Sequence, residues 1–273
     1  MQNNIGCNIV DPLVNECADY TCSVYLSQLP HYRKLGFTHL EFSHLLSLSA
    51  SDAGVLRQAC RETGLIPWSV HSEHWNDGIT LEEYLAQQEH CAHIADALDA
   101  RVMVCHLPNC APRLEDFQRD LAALTRLADI TRANQVRLAI ENCLSGDLDY
   151  ILKIVTQIDR HDVGVNLDAG HAFLYESKDL AELIRRIGPH LFTTHLHDNF
   201  GRNDDHQAPG MGLIDWPETL QALQQSPYPG PLMLELTGPT VKKRRSVPEL
   251  RTFDLEKEQV FAFAFLNHCL KKS

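Results

Sequence analysis

Short apolar runs alternate with amphipathic stretches along the whole chain. Mostly apolar runs at 5–10, 38–42, 66–70, 102–105, 136–140, 163–167, 191–196 and 232–236 each lead into a polar loop and then a segment of helical character. Several runs are apolar almost throughout, as expected of parallel strands covered on both faces. The spacing predicts helices over 81–98 and 114–133, where apolar residues recur every three or four positions. Thr80, with Glu83 three residues on, reads as a capping box for the first of these. Gly36, Gly64 and Gly188 fall between a helix and the next strand, where a left-handed C-terminal turn favours glycine. Pro30 lies inside the first predicted helix and is expected to split or kink it.

Eight strand-then-helix units predict an α/β fold, a single (β/α)8 TIM barrel. An open doubly wound sheet is the competing arrangement, but no G-x-G-x-x-G follows the first strand and no Walker A sequence is present. The length of 273 residues suits one barrel, and no linker rich in Pro, Gly or Ser divides it, so residues 1–273 read as one domain.

Composition changes this picture little: 44% hydrophobic and 22% charged residues are ordinary for a soluble globular protein. No apolar run approaches the ~20 residues that cross a bilayer. The N-terminus also lacks a signal pattern, so a cytoplasmic protein without a membrane partner is expected. Nine cysteines are scattered singly, with no C-x-x-C pair. They read as packed or partly buried thiols, Cys7, Cys105 and Cys143 among them, rather than disulfides or a zinc-thiolate site. A net charge of −12 argues against a nucleic-acid partner held mainly through its phosphates. The basic cluster Lys242, Lys243, Arg244 and Arg245 reads either as a phosphate site after strand eight or as a solvated turn. No heptad or apolar seam identifies an oligomeric state, which leaves a homo-oligomer open.

Candidate chemistry enters at the strand ends. Strand three ends in His71, strand four in His106, strand five in Glu141-Asn142 and strand six in Asp168-Ala169-Gly170-His171. Strand seven reads His195-Leu196-His197-Asp198-Asn199, its loop continues to Asp204-Asp205-His206, strand eight ends at Glu235, and strand two adds Glu41. In a barrel these ends converge on one mouth. A lone histidine at a strand end is more often a hydrogen-bonded structural residue, and His39 and His161 are read so. Grouped carboxylates are different, since burying them together without a cation costs several kcal/mol. A divalent metal removes that cost, and mixed imidazole–carboxylate ligation suits zinc, manganese, iron or cobalt.

These segments, with Pro209-Gly210-Met211-Gly212 and Ile214-Asp215-Trp216 following, resemble the xylose isomerase-like TIM-barrel superfamily over almost the whole chain. It includes sugar phosphate isomerases and epimerases and the endonuclease IV group (AP endonuclease family 2). The isomerase branch implies one metal at the positions of Glu141, Asp168, His195 and Glu235. The endonuclease IV branch implies three zincs at His71, His106, Glu141, Asp168, His171, His195, Asp204, His206 and Glu235. The D-x-H spacing prefers Asp204 over Asp205 for the seventh of these positions.

The resemblance therefore implies one to three divalent ions, zinc or manganese, and two chemistries. In the first, a metal-dependent isomerase or epimerase moves a proton on the carbon beside a carbonyl of a sugar or sugar phosphate. Metal-held oxygens stabilise the enediolate, and Glu141 and Glu235 serve as paired base and acid. His171, His197, Arg202 and Trp75 are read as substrate-binding, whereas Trp68 reads as core. In the second, a zinc phosphodiesterase cleaves at abasic sites. Against it, the loops after strands one and three carry Asp11, Glu16, Asp19, Glu73 and Asp77 and no Lys or Arg. A DNA-grasping mouth needs those cations. A third reading, a barrel that only binds a ligand, sits poorly with a filled ligand set.

Overall fold

The alternation closes into a barrel of parallel strands in the computed structural model, which describes residues 4–10, 20–75, 78–107, 114–143, 147–237 and 254–272. The strands are β1 (Ile5–Asn8), β2 (His39–Phe42), β3 (Ile66–His71), β4 (Val102–Cys105), β5 (Arg137–Glu141), β6 (Val163–Asp168), β7 (Leu191–His195) and β8 (Leu232–Leu234). They pair in parallel in chain order, and β8 lies beside β1. Between β7 and β8 the seam is a single bridge at Leu196 and Leu234. There the Leu196 amide donates to the Met233 carbonyl at 2.9 Å and the Glu235 amide to the Leu196 carbonyl at 3.3 Å. The fold is thus the expected (β/α)8 TIM barrel.

Strand ends depart from the apolar runs in an instructive direction. β3, β5 and β6 each run one residue beyond the apolar pattern, and the added residues are His71, Glu141 and Asp168. Backbone pairing carries the strand up to the polar residue, where hydrophobicity no longer marks it. β1 and β8 stop two residues short of their runs and β7 one.

The helices are α1 (Cys22–Leu35), α2 (Ala50–Thr63), α3 (Leu81–Leu98), α4 (Phe117–Ala133), α5 (Asp147–Ile158), the buried single turn α6 (Ala169–His171), α7 (Leu180–Ile187), α8 (Trp216–Gln225) and α9 (Leu255–Lys272). The Thr80–Glu83 capping box forms at the head of α3. Segment 114–133 divides: Leu114–Asp116 is a 3-10 turn and only Phe117–Ala133 is α-helical. Gly36 and Gly64 close α1 and α2 in the left-handed conformation, but Gly188 combines φ 54 with ψ −124 and is not left-handed helical. Pro30 does not split α1. It sits at an exposed position, and the helix runs on through it to Leu35.

Inside the barrel, Trp68 of β3 reaches β7, its indole N–H donating to Thr193 Oγ1 at 3.2 Å, with His39 edge-on at 5.9 Å. This is the core role expected of Trp68. His39 is tied through Nδ1 to Thr38 Oγ1 at 2.9 Å, in the structural manner expected. Cys7 and Cys105 are buried thiols. Among the described residues, no helix is long and apolar enough to cross a membrane.

Candidate metal centre

Parallel pairing aims the ends of β3 to β8 at one mouth, and two short side-chain networks fix the polar residues there. The Asn142 amide bridges β5 to β6: its Oδ1 accepts from the Asp168 amide at 2.9 Å and its Nδ2 donates to the Asp168 carbonyl at 3.0 Å. Asp168 Oδ1 then accepts from the His171 amide at 2.7 Å, which turns the chain back over the strand end.

The second network is built on Asp198 of the H-L-H-D-N segment. Its carboxylate is fully buried and accepts from the amides of Asn199 (2.9 Å), Gly210 (3.0 Å) and Ile214 (3.2 Å) and from the Trp216 indole (2.8 Å). The P-G-x-G and I-D-W elements are therefore the other half of this loop, not ligands. Asp198→Asn turns an N–H group toward two of those donors. It is expected to cost about 2 kcal/mol and to lower the denaturation midpoint in a urea titration without changing its slope.

The network presents Asp204 and His206 to the mouth. Four donors, Glu141, Asp168, His195 and Glu235, each place one ligand atom within 4.8 Å of the others. His195 Nδ1 lies 3.0 Å from Glu141 Oε2, 3.5 Å from Glu235 Oε2 and 3.9 Å from Asp168 Oδ2. Beside them, His71 Nε2 is 3.5 Å and His106 Nε2 3.3 Å from the Glu141 carboxylate. On the other flank, Asp204 Oδ2 is 2.9 Å from His206 Nε2 and 3.3 Å from His171 Nε2, so the carboxylate that meets these histidines is that of Asp204. All nine positions named from the sequence are thus brought to one mouth.

The remaining sequence-named residues lie differently. His197 is fully buried, its Nε2 on Asp168 at 3.0 Å and its ring stacked on His206 at 4.0 Å, so it holds Asp168 instead of facing a substrate. Trp75 packs on Tyr84 at 4.9 Å, half-buried against the core under α3. Arg202 is exposed in the loop after β7. Lys242, Lys243, Arg244, Arg245, Asp11, Glu16, Asp19 and Asp77 lie outside the described residues. Sequence reasoning missed His74, whose ring is 4.1 Å from that of His106 and 5.3 Å from that of His71. Its signal was the H-S-E-H spacing directly after a strand.

Electrostatics and tautomers together test whether a divalent cation fits. His71 Nδ1 and His171 Nδ1 each face a backbone carbonyl, Ser72 O at 2.9 Å and Asn142 O at 3.0 Å. A carbonyl only accepts, so those nitrogens carry a proton, and each Nε2 is the nitrogen turned to the mouth, where a metal would take the place of its proton. His195 Nδ1 and His106 Nε2 are buried without a hydrogen-bond partner among the described residues. Burial opposes charge throughout, yet neighbouring charges outweigh it. Against that burial, His195 and His106 hold the Glu141 carboxyl well below the usual carboxylate range. Asp168 is likewise lowered to about 2, through His171 and His197. His171, buried beside Asp168 and Asp204, is raised to about 11. The field that draws protons onto these imidazoles is the field that holds a dication. The donor set fits a divalent metal.

The chain and its fold have relatives among known proteins. A family model described as "Xylose isomerase-like TIM barrel" matches residues 30–254. The inosose isomerase of Bacillus subtilis is 27% identical over 140 residues, covering 47% of this chain and 50% of that protein. The chain thus matches about half the length of that isomerase. An uncharacterised protein of Sinorhizobium fredii is 26% identical over 246 residues, covering 74% of this chain and 78% of the relative. In fold, the chain is similar to a crystal structure of D-psicose 3-epimerase determined in the presence of D-fructose. The TM-score is 0.78 at 18% identity, with 99% of each chain covered.

Proposed function

Because the chain belongs to the xylose isomerase-like TIM barrel family, we propose that it is a divalent-metal-dependent isomerase or epimerase of a sugar or sugar phosphate. The observation that carries this reading is the convergence of Glu141, Asp168, His195 and Glu235 around one point at the barrel mouth. The relationship to an inosose isomerase supports the substrate class. Residues 1–273 are read as one barrel domain.

A bound divalent ion would act as a Lewis acid on a substrate's carbonyl and hydroxyl oxygens. The chain's own residues divide the rest of the work. Glu141 and Glu235 both lie close to His195 Nδ1, at 3.0 and 3.5 Å. A sugar carbon between them would meet one carboxylate on each face, one to take a proton and the other to return it. They differ in access, with the side chain of Glu141 2% exposed and that of Glu235 15%. Glu235 is therefore assigned the proton that exchanges with water. Asn166 Nδ2, 2.8 Å from Glu141 Oε2, holds the inner carboxylate in place. His171, whose Nε2 lies 3.3 Å from Asp204 Oδ2, is assigned the hydrogen bond to a substrate oxygen.

The test is exchange of a carbon-bound proton. Incubated in D2O with Mn2+ and a panel of free ketoses, inososes and their phosphates, the protein is expected to introduce deuterium beside the carbonyl of its substrate, read by proton NMR. Removal of metal with EDTA should abolish the exchange and added Mn2+ should restore it. A panel without exchange, metal present, would overturn the reading. A second chemistry is favoured by one observation: His71, His74 and His106 form one further ligand group, and His171, His197, Asp204 and His206 another. Three zincs per chain with cleavage of an abasic duplex would establish an endonuclease IV-like phosphodiesterase instead.

A further inference from the structure

Glu41 is a buried carboxylate that the proposed chemistry leaves unused. It points inward from β2, is 1% exposed, and crosses the barrel to β7. Taking a carboxylate out of water costs several kcal/mol unless a charge or good hydrogen bonds compensate it. No Lys or Arg among the described residues forms an ion pair with it. Its side-chain partners are the Ser69 hydroxyl, which donates to Oε2 at 2.7 Å, and His195 Nε2, at 2.9 Å from Oε1 and 3.1 Å from Oε2.

The ring of His195 therefore lies between two sets of carboxylates. Nε2 faces Glu41, while Nδ1 faces Glu141, Glu235 and Asp168. Both nitrogens thus face acceptors; a cation held by Glu141, Asp168 and Glu235 would take the place of the proton on Nδ1, while Glu41, which only accepts, keeps the proton on Nε2. His71 and His171 have neutral carbonyls behind them, at Ser72 and Asn142, and His106 has the Cys143 sulfur at 3.7 Å. A carboxylate behind the imidazole makes the far nitrogen more basic than a carbonyl does. Glu41 itself belongs to none of the groups whose ligand atoms converge, because the imidazole stands between it and them.

We propose that Glu41 is a positioning residue of the metal centre. Through Nε2 it fixes the rotation and tautomer of His195, so that Nδ1 is presented as a strong donor beside Glu141, Asp168 and Glu235. Ser69 fixes Glu41 in turn. This rests on the metal-centre reading above, and it explains why β2, which supplies no ligand, carries a buried acid.

The test compares Mn2+ affinity by titration calorimetry with the melting temperature of the metal-free protein in EDTA, on the full chain. Glu41→Gln is expected to weaken Mn2+ binding about 10- to 100-fold, with the metal-free melting temperature unchanged or raised. Ser69→Ala should weaken binding by a smaller factor. In the Co2+-loaded protein, the visible absorption bands of Glu41→Gln should shift relative to wild type. Wild-type affinity in Glu41→Gln, or a loss accompanied by an equal destabilisation of the metal-free form, overturns the assignment. If the wild type itself takes up no divalent ion, the metal centre falls and this role falls with it. If the wild type binds and Glu41→Gln binds equally well, only the role of Glu41 is wrong.

Discussion

Glu235→Gln is expected to lower kcat by about 10²–10⁴-fold, the usual contribution of a positioned acid or base, while far-UV circular dichroism stays that of the wild type. The carboxamide keeps the shape of the side chain, and at 15% exposure with His195 and His206 as neighbours there is room for it. What it removes is a group that accepts and returns a proton. Because Glu235 is also one of the four converging donors, metal content per chain has to be measured on the same sample. Turnover lost with the ion still bound identifies the proton-transfer role. Turnover lost together with the ion identifies ligation. Full activity in the variant would remove Glu235 from the proposed mechanism.

The second large effect is expected from a single methyl group. Gly170 lies in the D-A-G-H turn that follows β6, and a β-carbon there would overlap the ring of His197. That ring cannot retreat: it is fully buried, bonded to Asp168 at 3.0 Å and stacked on His206. Nor is the turn free to move, since the Gly170 carbonyl accepts from Asn199 Nδ2 at 2.9 Å. Gly170→Ala is therefore expected to destabilise the protein by about 3 kcal/mol, the upper end for overpacking a filled core. In melting temperature this is roughly 6–12 °C. Mn2+ affinity should fall with it, because Asp168 is displaced along with His197. A variant that melts within a degree of wild type and binds Mn2+ equally well would mean that the turn is far more pliable than its hydrogen bonds imply.

Both predictions concern positions that could be named from the chain, though for different reasons. Glu235 was legible because a polar residue closes an apolar run, and in a parallel barrel every such closure lies at the same rim. His71, His106, Glu141 and Asp168 follow the same rule, whereas His195 interrupts its run one residue before the end. The glycine of D-A-G-H was visible as a motif but not as a constraint, since its reason is the imidazole of a different strand. The P-G-x-G and I-D-W elements were equally visible, yet their function as donors to the buried Asp198 appears only when the loop is folded.

The sequence by itself determined the number and order of the strands, the residues at their ends and the charge that collects there. These properties depend on local periodicity, which each segment expresses without reference to the others. The tertiary structure alone decided that His197 holds Asp168, that Asp204 meets His171 and His206, that Trp75 packs under α3, and that His74 joins the His71–His106 pair. It alone placed Glu41 behind His195, a contact between residues 154 positions apart. A periodic pattern reports which face of an element is buried. It carries no information about which polar group on a distant strand completes a hydrogen bond across the barrel, and those pairings set the donor atom each histidine presents.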